Sequence, residues 1–285
     1  MPLLFDRGIS GRMVLSRITN PIIAGCLSCL LFSAYSSHAA DTTDNTDSRW
    51  TVTLGGAVEL APSYPGSKQY TFGVIPSFDI RRFGEPEENS APDDNLDYTV
   101  LSGHGFEVGP VVGFRDSRSS KSTNLDGLKN VEFDIDAGVF VQYWIKPDVW
   151  RVRSEIRQAL SNGSGLVVDV GSDWFQPLSE KWLLSAGPRA TFGDTSYMNK
   201  YFGVSAAEAS RNGRINAFDA SAGIKSVGFT VSATYTISPD MSVQLYNRFE
   251  RLVGDAADSP ITSELGTRNQ NIVGIAFNKS FDISF

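Results

Sequence analysis

The sequence predicts an all-β chain, a transmembrane antiparallel up-and-down β-barrel of about 12 strands. Three observations predict it. Apolar residues recur at every second position through most of the chain. The opposite face of several of these runs carries dense charge, which suits a hydrated lumen better than a dry core. The chain also finishes on "NKSFDISF", which puts Phe281, Ile283 and Phe285 on one side of a strand that runs to the last residue.

The elements follow in order. Residues 1–39 read as a signal peptide. Arg7, Arg12 and Arg17 give a basic start, "ITNPIIAGCLSCLLFSAYSS" an apolar stretch, and "SHAA" a small-residue cleavage site after Ala39. "IAGC" at Ile23–Cys26 resembles a lipoprotein box, but the apolar run continues past it. Cys26 and Cys29 both lie in this leader, so the exported chain is expected to hold no disulfide and to rely on backbone pairing and burial. Residues 40–49 form a flexible polar leader, and residues 50–285 the barrel.

Alternation marks twelve strands, near 50–60, 69–81, 97–102, 105–115, 130–145, 149–160, 165–175, 181–192, 214–224, 228–237, 241–253 and 270–285. In the first, Trp50, Val52, Leu54, Val58 and Leu60 oppose Thr51, Thr53 and Glu59. The second sets out Tyr70, Phe72, Val74, Phe78 and Ile80. The fifth is the clearest, with Val131, Phe133, Ile135, Val139, Val141, Tyr143 and Ile145 against Glu132, Asp134, Asp136 and Gln142. The tenth opposes Phe229, Val231, Tyr235 and Ile237 to serine and threonine. Most runs reach the roughly 9–11 residues that a tilted strand needs to cross hydrocarbon. "YPGS", "KPD", "NGSG" and "SPD" supply turns. The acidic "GEPEENSAPDDN" at 84–95 reads as a disordered loop. With both chain ends periplasmic, this count puts the long second, fourth and eighth connections on the periplasmic side, where turns are usually short. Either the count slips by one within 84–116 and again later, or the protein carries elaborated loops on that side, as a murein-enzyme scaffold would want.

A lumen charge ladder is expected from Glu132, Asp134 and Asp136 on one strand and Arg151, Arg153 and Arg157 on the next, with Asp136 opposite Arg157. Trp50, Trp144, Trp150, Trp174 and Trp182 sit at strand ends, as an interfacial girdle in outer-membrane lipid requires. Phe281, Ile283 and Phe285 are candidates for the signal read by the barrel assembly machinery.

Among the connections, Tyr64, Pro65 and Gly66 fit a type II turn with Tyr64 as an anchor. Tyr197, Met198, Tyr201 and Phe202 crowd a loop that ought to be polar, so this loop either plugs the lumen or docks a partner. Ser205 followed by Glu208 forms a capping box for a short helix. Asp255, Asp258, Ser259 and Pro260 make an Asp-rich capped turn at the barrel mouth. Asp93–Asp94 and Asp255–Asp258 lack EF-hand spacing. His104, in "SGHG", is the one histidine after the leader, and no nucleophile elbow, zinc motif or phosphate loop accompanies it. No cofactor, metal or catalytic residue is expected. The net formal charge of −7, more negative once the basic leader is removed, argues against nucleic acid.

Several stretches in order resemble the MipA/OmpV family: "SYPGS", "GPVVGFRDSR", "LDGL", "NGSG", "GPRATFGDTSYMNKYFGVS" and "ERLVGDAADSPI". The terminal Phe285 fits, although "FNKSFDISF" departs from the shorter ending expected. The resemblance implies an outer-membrane barrel. One branch is described as a scaffold that binds the murein-degrading lytic transglycosylase MltA and a murein synthase, another as an immunogenic surface protein. The leading expectation is a non-enzymatic scaffold for murein-remodelling enzymes. The alternative is a narrow channel for small polar solutes. A lipase or protease would have to work through His104.

Overall fold

The computed structural model describes residues 11–14, 49–121, 125–161 and 163–284. One antiparallel sheet dominates. Its long strands are β2 (Arg49–Pro62), β3 (Tyr70–Arg82), β6 (Phe106–Arg115), β7 (Asp134–Lys146), β8 (Trp150–Ala159), β9 (Leu166–Pro177), β10 (Trp182–Gly193), β11 (Gly223–Ser238), β12 (Met241–Leu252) and β13 (Asn269–Ser284). Consecutive strands from β6 to β13 are neighbours, and β13 returns to pair with β2. Two short strands, β4 (Leu96–Tyr98) and β5 (Leu101–Gly103), lie along β6 as one bent strand. A four-residue strand, β1 (Gly11–Val14), pairs with β3 on one side and β4 on the other.

The pleat decides what each face meets. On β2, Leu54, Val58 and Leu60 point outward and Thr51, Thr53, Ala57 and Glu59 inward. Phe72, Val74, Val139, Ile156, Phe229 and Ile275 continue an exposed apolar surface around the sheet. Inside are Asp136, Arg151, Arg153, Glu155, Asp173 and Thr230, all buried. Apolar outside and charged inside is the pattern of a sheet that curls within lipid and encloses water and ions. It would be untenable in a soluble domain, where so much exposed hydrocarbon would aggregate.

Arg49 pairs with Ser284, so both ends of the barrel domain lie at one rim, called here the terminal rim. The tight turns 104–105, 147–149 and 239–240 are at this rim, together with 178–181. The connections 116–133, 194–222 and 253–268 lie at the far rim, so the expected fourth and eighth connections stand opposite the termini, whereas the second, 83–95, does leave from the terminal rim. The segment 83–95 turns back into the interior, so the strand expected at 97–102 runs down to the terminal rim instead of up from it, and no separate strand exists at 214–224. β11 runs unbroken through Gly223–Ser238. Ile215 and Phe218 pack on the far-rim cap instead of facing lipid.

Candidate functional site: a charged lumen with a cap and an inward strap

The interior wall of β6 to β10 is an arginine–carboxylate lattice. Arg115 Nε sits 2.7 Å from Asp136 Oδ1, and Arg157 Nη1 3.3 Å from Asp136 Oδ2. Arg157 also pairs with Asp169. Arg153 reaches Glu155 at 2.9 Å, and Arg151 reaches Asp173 at 3.1 Å. Gln142 links the ladder by accepting from Arg151 at 3.1 Å and Arg153 at 3.0 Å. Gly113 makes room for it, since a Cβ there would lie 2.1 Å from Arg157 Nη1. The Asp136–Arg157 contact is diagonal. Asp136 stands opposite Ala159, because the β7–β8 turn encloses three residues, with Lys146 opposite Trp150, and the one-residue shift at Trp144/Lys146 takes back only part of the offset. Asp134 is buried and holds Lys200 at 3.5 Å, whereas Glu132 precedes β7 and is exposed, outside the ladder.

The segment 83–95 supplies the missing counter-charge. Sequence composition alone suggests a disordered acidic loop, but it crosses the lumen as a strap. Glu88 accepts from Gln142 at 2.7 Å and from the indole N–H of Trp144 at 3.0 Å. Trp144 is therefore an interior residue packed on Phe175, not part of the girdle. Asp93 takes two hydrogen bonds from Arg189, both 2.9 Å, and one from Thr230 at 3.0 Å. Asp94 receives Arg151 at 2.6 Å, and Asp97, in β4, receives Arg153 at 2.5 Å. Burial alone would raise the Asp93 carboxyl, yet the Arg189 guanidinium holds it well below the ordinary carboxylate range. Asp94 is lowered likewise, its burial outweighed by Arg151 and Arg153. The aspartates at 93 and 94 are arginine partners. Arg189 and Arg115 escaped the sequence reading, and their signal was their place on the polar side of alternating strands.

The far rim carries the cap. Helix α1 (Thr195–Phe202) starts where the Asp194 carboxylate accepts from the Tyr197 N–H at 2.8 Å. It buries Tyr197, Met198, Tyr201 and Phe202 against Val131, Val167, Leu252, Ala256 and Ala257. Burial raises the phenols of Tyr197 and Tyr201 above their usual range. Arg118 donates to the Tyr201 carbonyl at 2.6 Å, a cation at the helix C-terminus. Helix α2 (Ala206–Asn212) carries the expected capping box, and Glu208 also accepts from the Lys129 N–H at 2.8 Å. Helices α3 (Gly254–Asp258) and α4 (Pro260–Ser263) meet at Ser259, whose hydroxyl donates to the Phe202 carbonyl at 2.6 Å. Asp255 accepts from the Ser221 N–H at 2.7 Å, and Asp258 pairs at the surface with Arg268 at 2.9 Å. Pro260 opens α4. Tyr64 is buried with Leu125, Leu128, Val204 and Ile261, and the Ser67 N–H donates to its carbonyl at 2.9 Å across Pro65 and Gly66. Gly66 has φ 95, as the second central residue of such a turn needs.

Between cap and strap remains a cavity of about 250 Å³, bordered by Asp93, Arg153, Glu155, Arg157, Asp169 and Arg189. His104 lies in the β5–β6 turn at the terminal rim, with φ 54. Phe281 and Ile283 oppose Val52 and Trp50 on β2, while Phe285 lies outside the described residues.

Comparison with known proteins gives one family. The family model "MltA-interacting protein MipA" matches residues 54–281. No curated protein matches. Among solved structures, an outer membrane channel from Pseudomonas putida F1 aligns at 10% identity and TM-score 0.34, covering 82% of this chain and 95% of that one. Pseudomonas putida OprB aligns at 9% identity and TM-score 0.32, covering 82% and 94%. A Pseudomonas aeruginosa FadL homologue aligns at 10% identity and TM-score 0.27, covering 84% and 91%. At these scores the fold rests on the strand ladder itself.

Proposed function

Since the chain belongs to the MltA-interacting protein MipA family, we propose that it is an outer-membrane barrel with an occluded lumen, serving as a non-enzymatic scaffold for murein-remodelling enzymes, a lytic transglycosylase first and a murein synthase second. The observation that carries this reading is the double occlusion of the lumen. The strap ties Asp93 and Asp94 to Arg189 and Arg151 across the interior, and the cap buries Met198 and Phe202 over the far mouth. A passage needs neither; a rigid platform uses both. With the termini periplasmic, an enzyme on the murein side meets the terminal rim, with its tight turns and the root of the strap. Export on the 1–39 signal peptide and insertion through the Phe281, Ile283 and Phe285 edge complete the picture.

The second reading, a narrow channel, draws on the polar cavity between cap and strap. Planar-bilayer recording with a parallel pull-down separates the two. The scaffold predicts electrical silence and co-purification of a transglycosylase from solubilised envelopes. A steady open state whose ion selectivity falls on neutralising Arg151, Arg153 and Arg157, with no enzyme recovered, would replace it.

A further inference from the structure

β3 and β4 border the seam of the barrel, and they run the same way. β3 descends from Tyr70, opposite Pro62, to Arg82 at the terminal rim. The β4–β5 strand also descends, antiparallel to β6, towards the turn at 104–105. Counting β4 and β5 as one, the barrel domain supplies an odd number of strands, and its two seam strands are parallel. An all-antiparallel closure needs one more strand, running upward between them. Gly11–Val14 is that strand. Gly11 faces both Ile80 and Tyr98, and Arg12 both Asp79 and Asp97, in antiparallel ladders on both sides. An edge left open in hydrocarbon is costly, so the slot has a standing demand for a partner.

We propose that the slot between β3 and β4 is a strand-acceptor site which, once residues 1–39 have been removed on export, takes an extended segment of a periplasmic partner by β-augmentation. The slot defines that segment. At its centre one lumen-facing position falls between Asp79 and Asp97, each on the inner face of its strand and ion-paired there, with Arg81 at 2.9 Å and Arg153 at 2.5 Å. The adjacent positions face outward beside Phe78, Ile80 and Tyr98. The fitting sequence is therefore basic at the inward residue and apolar on either side. The chain's own "DTTDNTDS" at 41–48 has the wrong charge and no apolar residue. The paired positions 77–80 approach Arg82, so the segment enters from the terminal rim. This goes beyond the scaffold reading, because conductance and transglycosylase binding can be lost or kept with the slot intact.

The protein is purified from its own outer membrane and its N-terminus read by mass spectrometry. Both native cysteines lie in the leader, so introduced thiols are unambiguous. In Ile80→Cys/Tyr98→Cys the two positions are two strand spacings apart, about 9–10 Å, beyond the roughly 7 Å limit for a disulfide. The expected result is no disulfide on oxidation. A synthetic peptide of residues 9–18 carrying Met13→Cys is expected to be trapped by Phe78→Cys and not by Phe72→Cys, above the slot. The same peptide with Arg12→Glu should be trapped about tenfold less. Migration as folded barrel before heating qualifies each variant. A disulfide between positions 80 and 98, trapping indifferent to the charge change, no trapping, or a retained leader filling the slot would each overturn the proposal.

Discussion

Asp93 and Arg189 meet through both carboxylate oxygens at 2.9 Å, although 96 residues separate them in the chain. The pair fastens the strap to the wall of β10. Both side chains are mostly buried, with relative exposures of 12% and 14%. Arg189 also reaches Asp173 at 2.6 Å, so removing Asp93 strips it of one of two carboxylates, a loss of about 1–3 kcal/mol. Asp93→Ala should lower stability in detergent by that amount and open Glu87 and Glu88 to glutamyl endopeptidase. Unchanged unfolding and unchanged cleavage would show that the strap is held elsewhere.

The same pair fixes a pH response. Asp93 and Asp94 are held below their ordinary value of 3.8. For depressed carboxyls the stabilisation is complete above the unfolded value and is lost as pH falls through the folded one. The strap should therefore remain docked from neutral pH to about pH 4 and loosen only below that. A fluorophore at Asn89 reports this directly. Release near pH 6 would contradict it.

At the far rim, Gly66 is set between a left-handed backbone and Thr262. A Cβ there would lie 2.8 Å from Thr262 Oγ1. Gly66→Ala should cost about 1–2 kcal/mol and shake the Tyr64–Ile261 contact. Phe202→Ala, which empties a fully buried site, should cost about 3–5 kcal/mol. If the cap is a seal, the second variant admits current in bilayers and the first does so less often. Silence from both, with stability reduced as stated, would leave the strap as the barrier.

Ser120 and Ser210 lie on connections at the far rim, opposite the termini. Single cysteines at these positions should react with an impermeant maleimide on intact cells, and one at Asp240, in a terminal-rim turn, should not. Protection of the first two from outside would invert the orientation.

Much of the fold is legible because the pleat writes itself into the sequence. Tyr70, Phe72 and Val74 cannot alternate with Thr71 and Gly73 over lipid without showing it. The capping box at Ser205 and Glu208 is legible for a similar reason, as a local hydrogen-bond pattern of fixed spacing. What alternation hides is where a polar partner comes from. The ladder arginines are visible on β8, but Asp94 and Asp93, which meet Arg151 and Arg189 alongside Asp173 of β9, arrive on the strap, whose composition looks like that of a solvated loop. Ile215 and Phe218 mimic a strand because the cap that buries them is itself apolar. Trp144 sits at a strand end like a girdle residue, yet its parity points it inward, to Glu88.

The remaining tryptophans give the molecule a built-in asymmetry of signal. Trp50, Trp150, Trp174 and Trp182 all stand in strands at the terminal rim, with the rings of Trp150 and Trp174 tilted at 44° and their centroids 5.9 Å apart, and the fifth, Trp144, lies just inside it. Nearly all ultraviolet emission therefore originates within one leaflet. An aqueous quencher confined to one side of a vesicle will dim the unmodified protein or leave it bright according to which way it was inserted, so sidedness can be scored without any label.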